Sequence, residues 1–385
     1  MLIFLIDMYN VKKTKTTEQG GNKVNYLYRK LVQIGEDETK AQGISLEDLC
    51  RYFPRHLQVD VNFKSGLLKF KFMEFVLFLL ATAVKTFLLP RKEQPGYLDI
   101  EEVDRVYDRE ARLYDWKHHL TTRGMDTVWR RQAGYTVATY CQNNNPEQVK
   151  VLDICTGTGL TIWEIAKILA DRNINARLTG LDYNKNMLAV ARKRRFPYAG
   201  IQVEFIKGNA MELYLDEGQS NDEQDNLRFD EDCFDCATQM CGIGGIRRPK
   251  SVFEGVLKVL KPGGYYYLAD MHRPIICMTG EVPILHKWMR MPLFEALAYE
   301  STTIPLVLNR LWGWRDTTLD FYILPLITCF DGKHYWGFET LSFETESQRW
   351  WFSLPVMPYA KLVVKKIEIT QEDYQMRQKL LSLLG

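Results

Sequence analysis

One stretch constrains this chain more than any other: Val151-Leu-Asp-Ile-Cys-Thr-Gly-Thr-Gly-Leu160, followed at once by Thr-Ile-Trp-Glu-Ile-Ala-Lys-Ile-Leu169. An apolar run ends in small residues, and apolar side chains then recur at Leu160, Ile162, Ile165, Ala166 and Leu169. That pattern predicts a buried strand, a glycine turn and an amphipathic helix, the opening unit of a doubly wound α/β sheet. The turn lets a nucleotide-like ligand approach the backbone. A dinucleotide fingerprint needs a third glycine where this chain has Ile162. Four residues before Gly157 the strand carries Asp153, a carboxylate that would repel a pyrophosphate and attract a cationic amino group. S-adenosylmethionine (SAM) has such a group and no phosphate, so the turn favours it.

The rest of the chain repeats the alternation. Ala176–Asp182 reads as a second strand. It ends in a carboxylate about 23 residues past Gly159, the usual place for an acid that holds both ribose hydroxyls. Asn184 can cap the helix that follows to Arg195, and the cations of Arg192–Arg195 suit a helix carboxyl end. Ile201–Ile206, Phe234–Met240 and Tyr265–Asp270 read as further strands, with Pro249–Leu260 a helix and Lys261–Gly264 a tight turn. Residues 214–232 are acidic and polar, an exposed insertion. Strands alternating with helices predict a Rossmann-like α/β core over residues 101–272.

Two flanking regions differ in character. Residues 1–100 form an extension, with a helix start capped by Ser45 and a helix at 69–89 that is apolar on all sides. Its uncharged part, Phe75 to Val84, is too short to span a bilayer. It reads either as a helix buried on the core or as a lid or membrane-surface helix with Lys69, Lys71, Lys85 and Arg91 near headgroups. From Arg273 to Gly385 the chain holds six of nine tryptophans, Trp288, Trp312, Trp314, Trp336, Trp350 and Trp351, punctuated by prolines. That predicts an aromatic-rich cap able to line an apolar pocket, with a late strand at Leu362–Ile369.

With 46% hydrophobic and 25% charged residues over 385 positions, the chain can bury a large core. A net charge of +2 gives no electrostatic case for nucleic acid. Eight scattered cysteines fit a reducing compartment, hence the cytoplasm, with membrane association open through the 69–89 helix. Cys233-Phe-Asp-Cys236 is a lone pair running into a strand, so no metal centre is expected.

The chain resembles the class I SAM-dependent methyltransferases, and within them the ubiquinone/menaquinone biosynthesis C-methyltransferases. The resemblance rests on Val106–Asp115, Trp129–Arg131, Val151–Gly159, Gly180–Tyr183, Gly208–Ala210, Phe234-Asp235 and Val259–Gly264. It implies that Gly157 and Gly159 pass under the methionine part, with Thr156 and Thr158 in the same turn and Asp153 near the ammonium. Asp182 would take the ribose hydroxyls, Tyr183 and Met187 would pack on adenine, and Asn209 and Ala210 would meet its edge. Gln239 would lie near the sulfonium, and Tyr114 would close over the cofactor. The chain departs from the family in carrying Asn209 for an aspartate and Gly244-Gly245 for an Arg-Asn pair.

The expected activity is methyl transfer to a hydrophobic, quinone- or lipid-like acceptor. A ring carbon or phenol acceptor also needs a base. His272 and the pair His118-His119, of which His119 is the candidate, stand near the strand ends in sequence. Transfer to a soluble metabolite and a silent SAM-binding subunit are the rival readings.

Overall fold

Val149, Val151, Leu152 and Ile154 are all buried because the strand that carries them has a parallel neighbour on each side and helices on both faces. In the computed structural model, residues 52, 100–122, 125–214, 229–271, 317, 320–349 and 355–384 are described. The Ser45-capped helix, the 69–89 helix, His272 and five of the six late tryptophans lie outside them; Trp336 lies within.

Five parallel strands, β1 (Val149–Ile154), β2 (Ala176–Asp182), β3 (Ile201–Lys207), β4 (Phe234–Met240) and β5 (Leu260–Met271), lie in the order 3-2-1-4-5. The order reverses between β1 and its neighbours, so a crevice opens above the carboxyl ends of β1 and β4. Eight helices flank the sheet among the described residues: α1 (Ile100–Glu110), α2 (Tyr114–Thr122), α3 (Met125–Asn144), α4 (Leu160–Ala170), α5 (Lys185–Ala191), α6 (Pro249–Val259), α7 (Asp320–Ile323) and α8 (Gln371–Leu384).

The alternation of side chains sorts the core into two layers. Val149, Val151, Leu178 and Tyr267 face α3 and α4, which contribute Ala133, Val137, Ile162 and Ile165. Leu152, Ile154, Tyr266 and Leu268 face α6 and α7, which contribute Phe253, Val256, Phe321 and Tyr322. Cys233 and Cys236 fall on opposite layers, and burial pushes both thiols up, Cys233 to about 11. Among the described residues no group of three or more potential ligands could hold a metal ion. No described helix is long and apolar enough to cross a membrane.

The described part of the region expected as a cap extends the sheet, and five of its six tryptophans lie outside the described residues. Strand β8 (Pro355–Ile369) joins the sheet antiparallel to β5, β7 (Tyr335–Arg349) pairs with β8, and β6 (Thr328–Phe330) closes the edge. The late strand expected at Leu362–Ile369 is the second half of β8. Phe338 and Phe343 join the α6 layer rather than a separate aromatic lid. The turn at Lys261–Gly264 falls inside β5, where a register shift against Phe234 and Cys236 absorbs it. The helix expected to reach Arg195 ends at Ala191.

Candidate active site

The strand ends enclose a cavity of about 680 Å³, a size that suits a small-molecule site. Its floor is the turn after β1. Gly157 and Gly159 have φ of 56° and 77°, left-handed backbone that glycine adopts without the strain a side chain brings. Gly159 also ends the turn as the residue before α4, packed so closely on Phe205 that a Cβ would stand 2.9 Å from its ring. Thr156, Gly157 and Thr158 line the cavity; Gly159 does not. Cys155 and Cys241, at the ends of β1 and β4, line it from left-handed backbone as well, with φ of 55° and 53°.

Asp153 stands behind this floor. It is buried, and its two carboxylate oxygens accept hydrogen bonds of 2.7 Å from Thr156 Oγ1 and Thr238 Oγ1. Burial raises the carboxyl to about 6 against the pull of those hydrogen bonds and of the Arg130 charge. The structure therefore places Asp153 under Thr156, outside the cavity lining, rather than in direct reach of a ligand's ammonium.

Asp182 does line the cavity. Its Oδ2 accepts from the Gly157 N–H at 2.8 Å and its Oδ1 from the Asn184 N–H at 2.9 Å, which fixes the carboxylate at the end of β2. Burial raises this carboxyl too, to about 6, with the two backbone donors opposing. Tyr183, Met187, Asn209 and Ala210 line the same side. Asn209 caps a 3₁₀ turn: its Oδ1 accepts from Met211 N at 3.0 Å and its Nδ2 donates to Glu212 at 3.1 Å.

Two helices outside the sheet close the cavity. Helix α1 contributes Ile100, Val103, Asp104 and Tyr107. It is fastened by Asn184, whose Oδ1 caps α5 while its Nδ2 donates to Asp104 at 2.7 Å and Asp108 at 2.9 Å. Helix α2 is tied to the glycine turn: Thr158 Oγ1 donates to Asp115 at 2.5 Å, and Arg194 binds both Asp115 and, at 2.6 Å, the Thr158 carbonyl. The cations after α5 thus act as a clip on the turn, with Arg192 holding the Phe205 carbonyl at 2.9 Å. Tyr114 lines the cavity between Tyr107, 5.9 Å away edge-on, and His118, stacked at 5.3 Å.

Two further placements differ from the sequence expectation. Gln239 is fully buried and outside the cavity lining: its Oε1 accepts from Tyr266 OH at 2.6 Å, and its Nε2 lies 3.6 Å from Cys155 Sγ. Along β4 it sits one residue before Met240 and two before Cys241, which do face the cavity. His119 does not line the cavity either; its side chain is 65% exposed, with Nδ1 3.6 Å from Asp126. Tyr114 and His118 are four apart on the inner face of α2, and the next residue turns outward. No histidine lines the cavity among the described residues, and His272 lies outside them.

Sequence reasoning passed over Tyr107, Cys155, Cys241 and Arg130 as lining residues. Tyr107, Cys155 and Arg130 stand inside motifs already singled out, so the signal was present. Arg247 and Arg248 also line the cavity, three residues beyond the site of the missing Arg-Asn pair.

A 3-2-1-4-5 parallel sheet, an antiparallel strand beside β5 and a glycine turn facing an acid at the end of β2 define a class I SAM-dependent methyltransferase. Residues 96–302 match the model of the ubiE/COQ5 methyltransferase family, and the chain belongs to that family. Demethylmenaquinone methyltransferase from Bacillus licheniformis is 28% identical over 215 residues, 56% of this chain and 78% of that protein. The Thermotoga maritima demethylmenaquinone methyltransferase is 31% identical over 209 residues, 52% and 79% of the two chains. Among solved structures, the plantazolicin methyltransferase BpumL in complex with SAH is 15% identical, with a TM-score of 0.39, over 69% of this chain and 95% of that one. The protein is an enzyme that uses SAM.

Proposed function

We propose that the enzyme methylates a hydrophobic, quinone-like acceptor. The observation that carries this reading is that Tyr107, Tyr114, Met211, Met240 and Ile246 line the same cavity as Asp182, an apolar lining able to take a planar ring. The two relatives are named for such a substrate, demethylmenaquinone.

The cofactor fits the residues present. The glycine turn leaves room for backbone approach, Asp182 offers two carboxylate oxygens at the end of β2, and Met187 covers Gly157, its Cε 3.3 Å from where a Cβ would stand. When bound, SAM supplies a methyl carbon already activated by its sulfonium. The chain's own work is then alignment and exclusion of water. Helices α1 and α2 do the excluding: Tyr107 and Tyr114 line the site half-buried, and desolvation keeps both phenols protonated far above neutral pH. They can donate to an acceptor oxygen and cannot serve as bases at neutral pH.

We assign the base role to His272 on its place two residues past Asp270 in the sequence. Burial lowers the basicity of His118, which packs behind Tyr114, and His119 does not line the cavity. His119→Ala should leave turnover at the wild-type level, whereas His272→Ala should lower it by ~10²-fold or more. Wild-type turnover in His272→Ala would remove His272 from the proton transfer.

Methyl-labelled SAM incubated with the enzyme and a lipid extract, beside a soluble-metabolite extract, tests the acceptor. Label in the organic phase is the expected result. Label confined to the aqueous phase would replace the quinone-like acceptor with a soluble one. Bound SAM with no label in either phase would point to a silent subunit.

A further inference from the structure

Helix α6 starts as Arg248-Pro249-Lys250, and this start breaks two local rules. The residue ahead of a first turn is best a short polar side chain that caps the helix. Here it is Arg248, which makes no capping hydrogen bond. A helix N-terminus also carries partial positive charge, so acids favour it and cations oppose it. The first turn of α6 holds no acid, and Arg247, Arg248 and Lys250 bring three cations to that end. Local choices that work against the fold are expected where function requires them.

Lys250 is answered within the helix, where Glu254 stands 3.7 Å away one turn on. Arg248 is not answered: it has no hydrogen-bond or ion-pair partner among the described residues. It is exposed, as is Arg247, yet both line the cavity. The connection from β4 to α6 explains how. Ile243 and Ile246 are buried in the α6 layer and pin the connection to the core. Gly242, Gly245 and Ile246 then line the cavity beside the two arginines. Two guanidiniums are thereby held where a ligand in the cavity can reach them.

The strand order indicates which ligand that is. β2 and β4 lie on either side of β1. Asp182 ends β2, where the cofactor reading puts the ribose, whereas the arginines follow β4. SAM carries a sulfonium and an ammonium against one carboxylate, so two further cations beside it bring no net attraction. The methyl acceptor is the partner left to meet them. A guanidinium matches a carboxylate through two parallel N–H···O bonds. We propose that Arg247 and Arg248 hold a carboxylate carried by the acceptor ring, so that the enzyme takes acidic rings in preference to uncharged ones. The inference rests on the quinone-like acceptor proposed above and narrows it.

Calorimetry on the enzyme saturated with S-adenosylhomocysteine, titrated with 1-hydroxy-2-naphthoate and with 1-naphthol, tests it. The two probes share a ring and a hydroxyl and differ in the carboxylate. The wild-type enzyme should bind the naphthoate at least about fivefold more tightly, the size expected of two ion pairs at a partly exposed site. The double variant Arg247→Gln/Arg248→Gln should erase that preference and keep naphthol and SAM within about twofold of their wild-type affinities. Arg248→Gln alone should lose part of the preference, and it carries the test if the double variant fails to fold. Having one cation fewer at the helix N-terminus, it should keep or slightly raise the Tm of the ligand-free enzyme. A lower Tm would make Arg248 a structural residue and overturn the proposal. A preference absent from the wild type, or retained in the double variant, would overturn it as well. A loss of SAM affinity as large as the loss for the naphthoate would hand the arginines to the cofactor, with the same result. Binding of neither ring would instead overturn the quinone-like acceptor, and this proposal with it.

Discussion

Replacing Asp182 with alanine should weaken SAM binding by ~1–3 kcal/mol, measured by calorimetry slightly above neutral pH, with secondary structure retained. The side chain does two jobs in the free enzyme. It accepts the Gly157 and Asn184 N–H groups, and it presents its carboxylate to the cavity, where the proposed cofactor reading puts two ribose hydroxyls. Alanine leaves both the backbone donors and the ligand hydroxyls short of an acceptor. Asp182→Asn keeps one acceptor oxygen and the size, so it should fall between the two. Unchanged affinity in both variants would remove Asp182 from the cofactor site.

The same residue sets a pH dependence. Burial, the dominant effect, raises its carboxyl to about 6 in the folded protein, against about 4 for an unfolded chain. A raised acid stabilises the fold while protonated. That contribution is complete below about pH 4 and is lost as pH rises through about 6. The gap between the folded and unfolded values corresponds to ~3 kcal/mol for such a group. Ligand binding runs the other way, because hydroxyls donate better to the charged carboxylate. In the ligand-free enzyme, Tm should fall between about pH 4 and 6 by more for the wild type than for Asp182→Asn. Over the same interval SAM affinity should rise in the wild type and flatten in the variant. Asp153 is raised to the same level and remains in Asp182→Asn, so part of the slope persists there.

The turn, the five parallel strands and the acid at Asp182 were legible because each is a local pattern: an apolar run, a glycine pair, a carboxylate at a fixed spacing. β7 was not, because its alternation breaks. The register shifts between Thr340 and Ser342, so Phe338 and Phe343 face the same core despite standing an odd number of residues apart, and Leu341 is left exposed. Gln239 shows a related limit. Its place near the cavity followed from the resemblance, whereas its actual direction depends on Tyr266, a partner 27 residues away on the adjacent strand. Arg130 was invisible for a third reason. It stands in the Trp129–Arg131 segment that carries the resemblance, but which of its two cations is buried depends on the helix register. What depends on neighbours along the chain could be read; what depends on which side chain a fold buries could not.

Gly159→Ala should destabilise the ligand-free enzyme by ~2–5 kcal/mol, and more than Gly157→Ala does. Both residues have positive φ. A Cβ on such backbone costs roughly 1–2 kcal/mol. They differ in what the new methyl group meets. At Gly157 the nearest atom is the Met187 Cε, 3.3 Å away, at the end of a flexible side chain that can move. At Gly159 it meets the Phe205 ring at 2.9 and 3.0 Å and the Ala191 Cβ at 3.2 Å. Phe205 lies on β3 and Ala191 ends α5. The added methyl group therefore forces a shift in packed elements, at a cost of ~1–3 kcal/mol beyond the backbone strain. Denaturant unfolding of the two variants measures the difference directly. The functional losses should rank the opposite way, since Gly157 lines the cavity and Gly159 does not. Gly157→Ala should lose more SAM affinity than stability, and Gly159→Ala more stability than affinity. Equal stability losses would mean that Phe205 does not hold the turn, and that left-handed backbone alone explains why both positions are glycine.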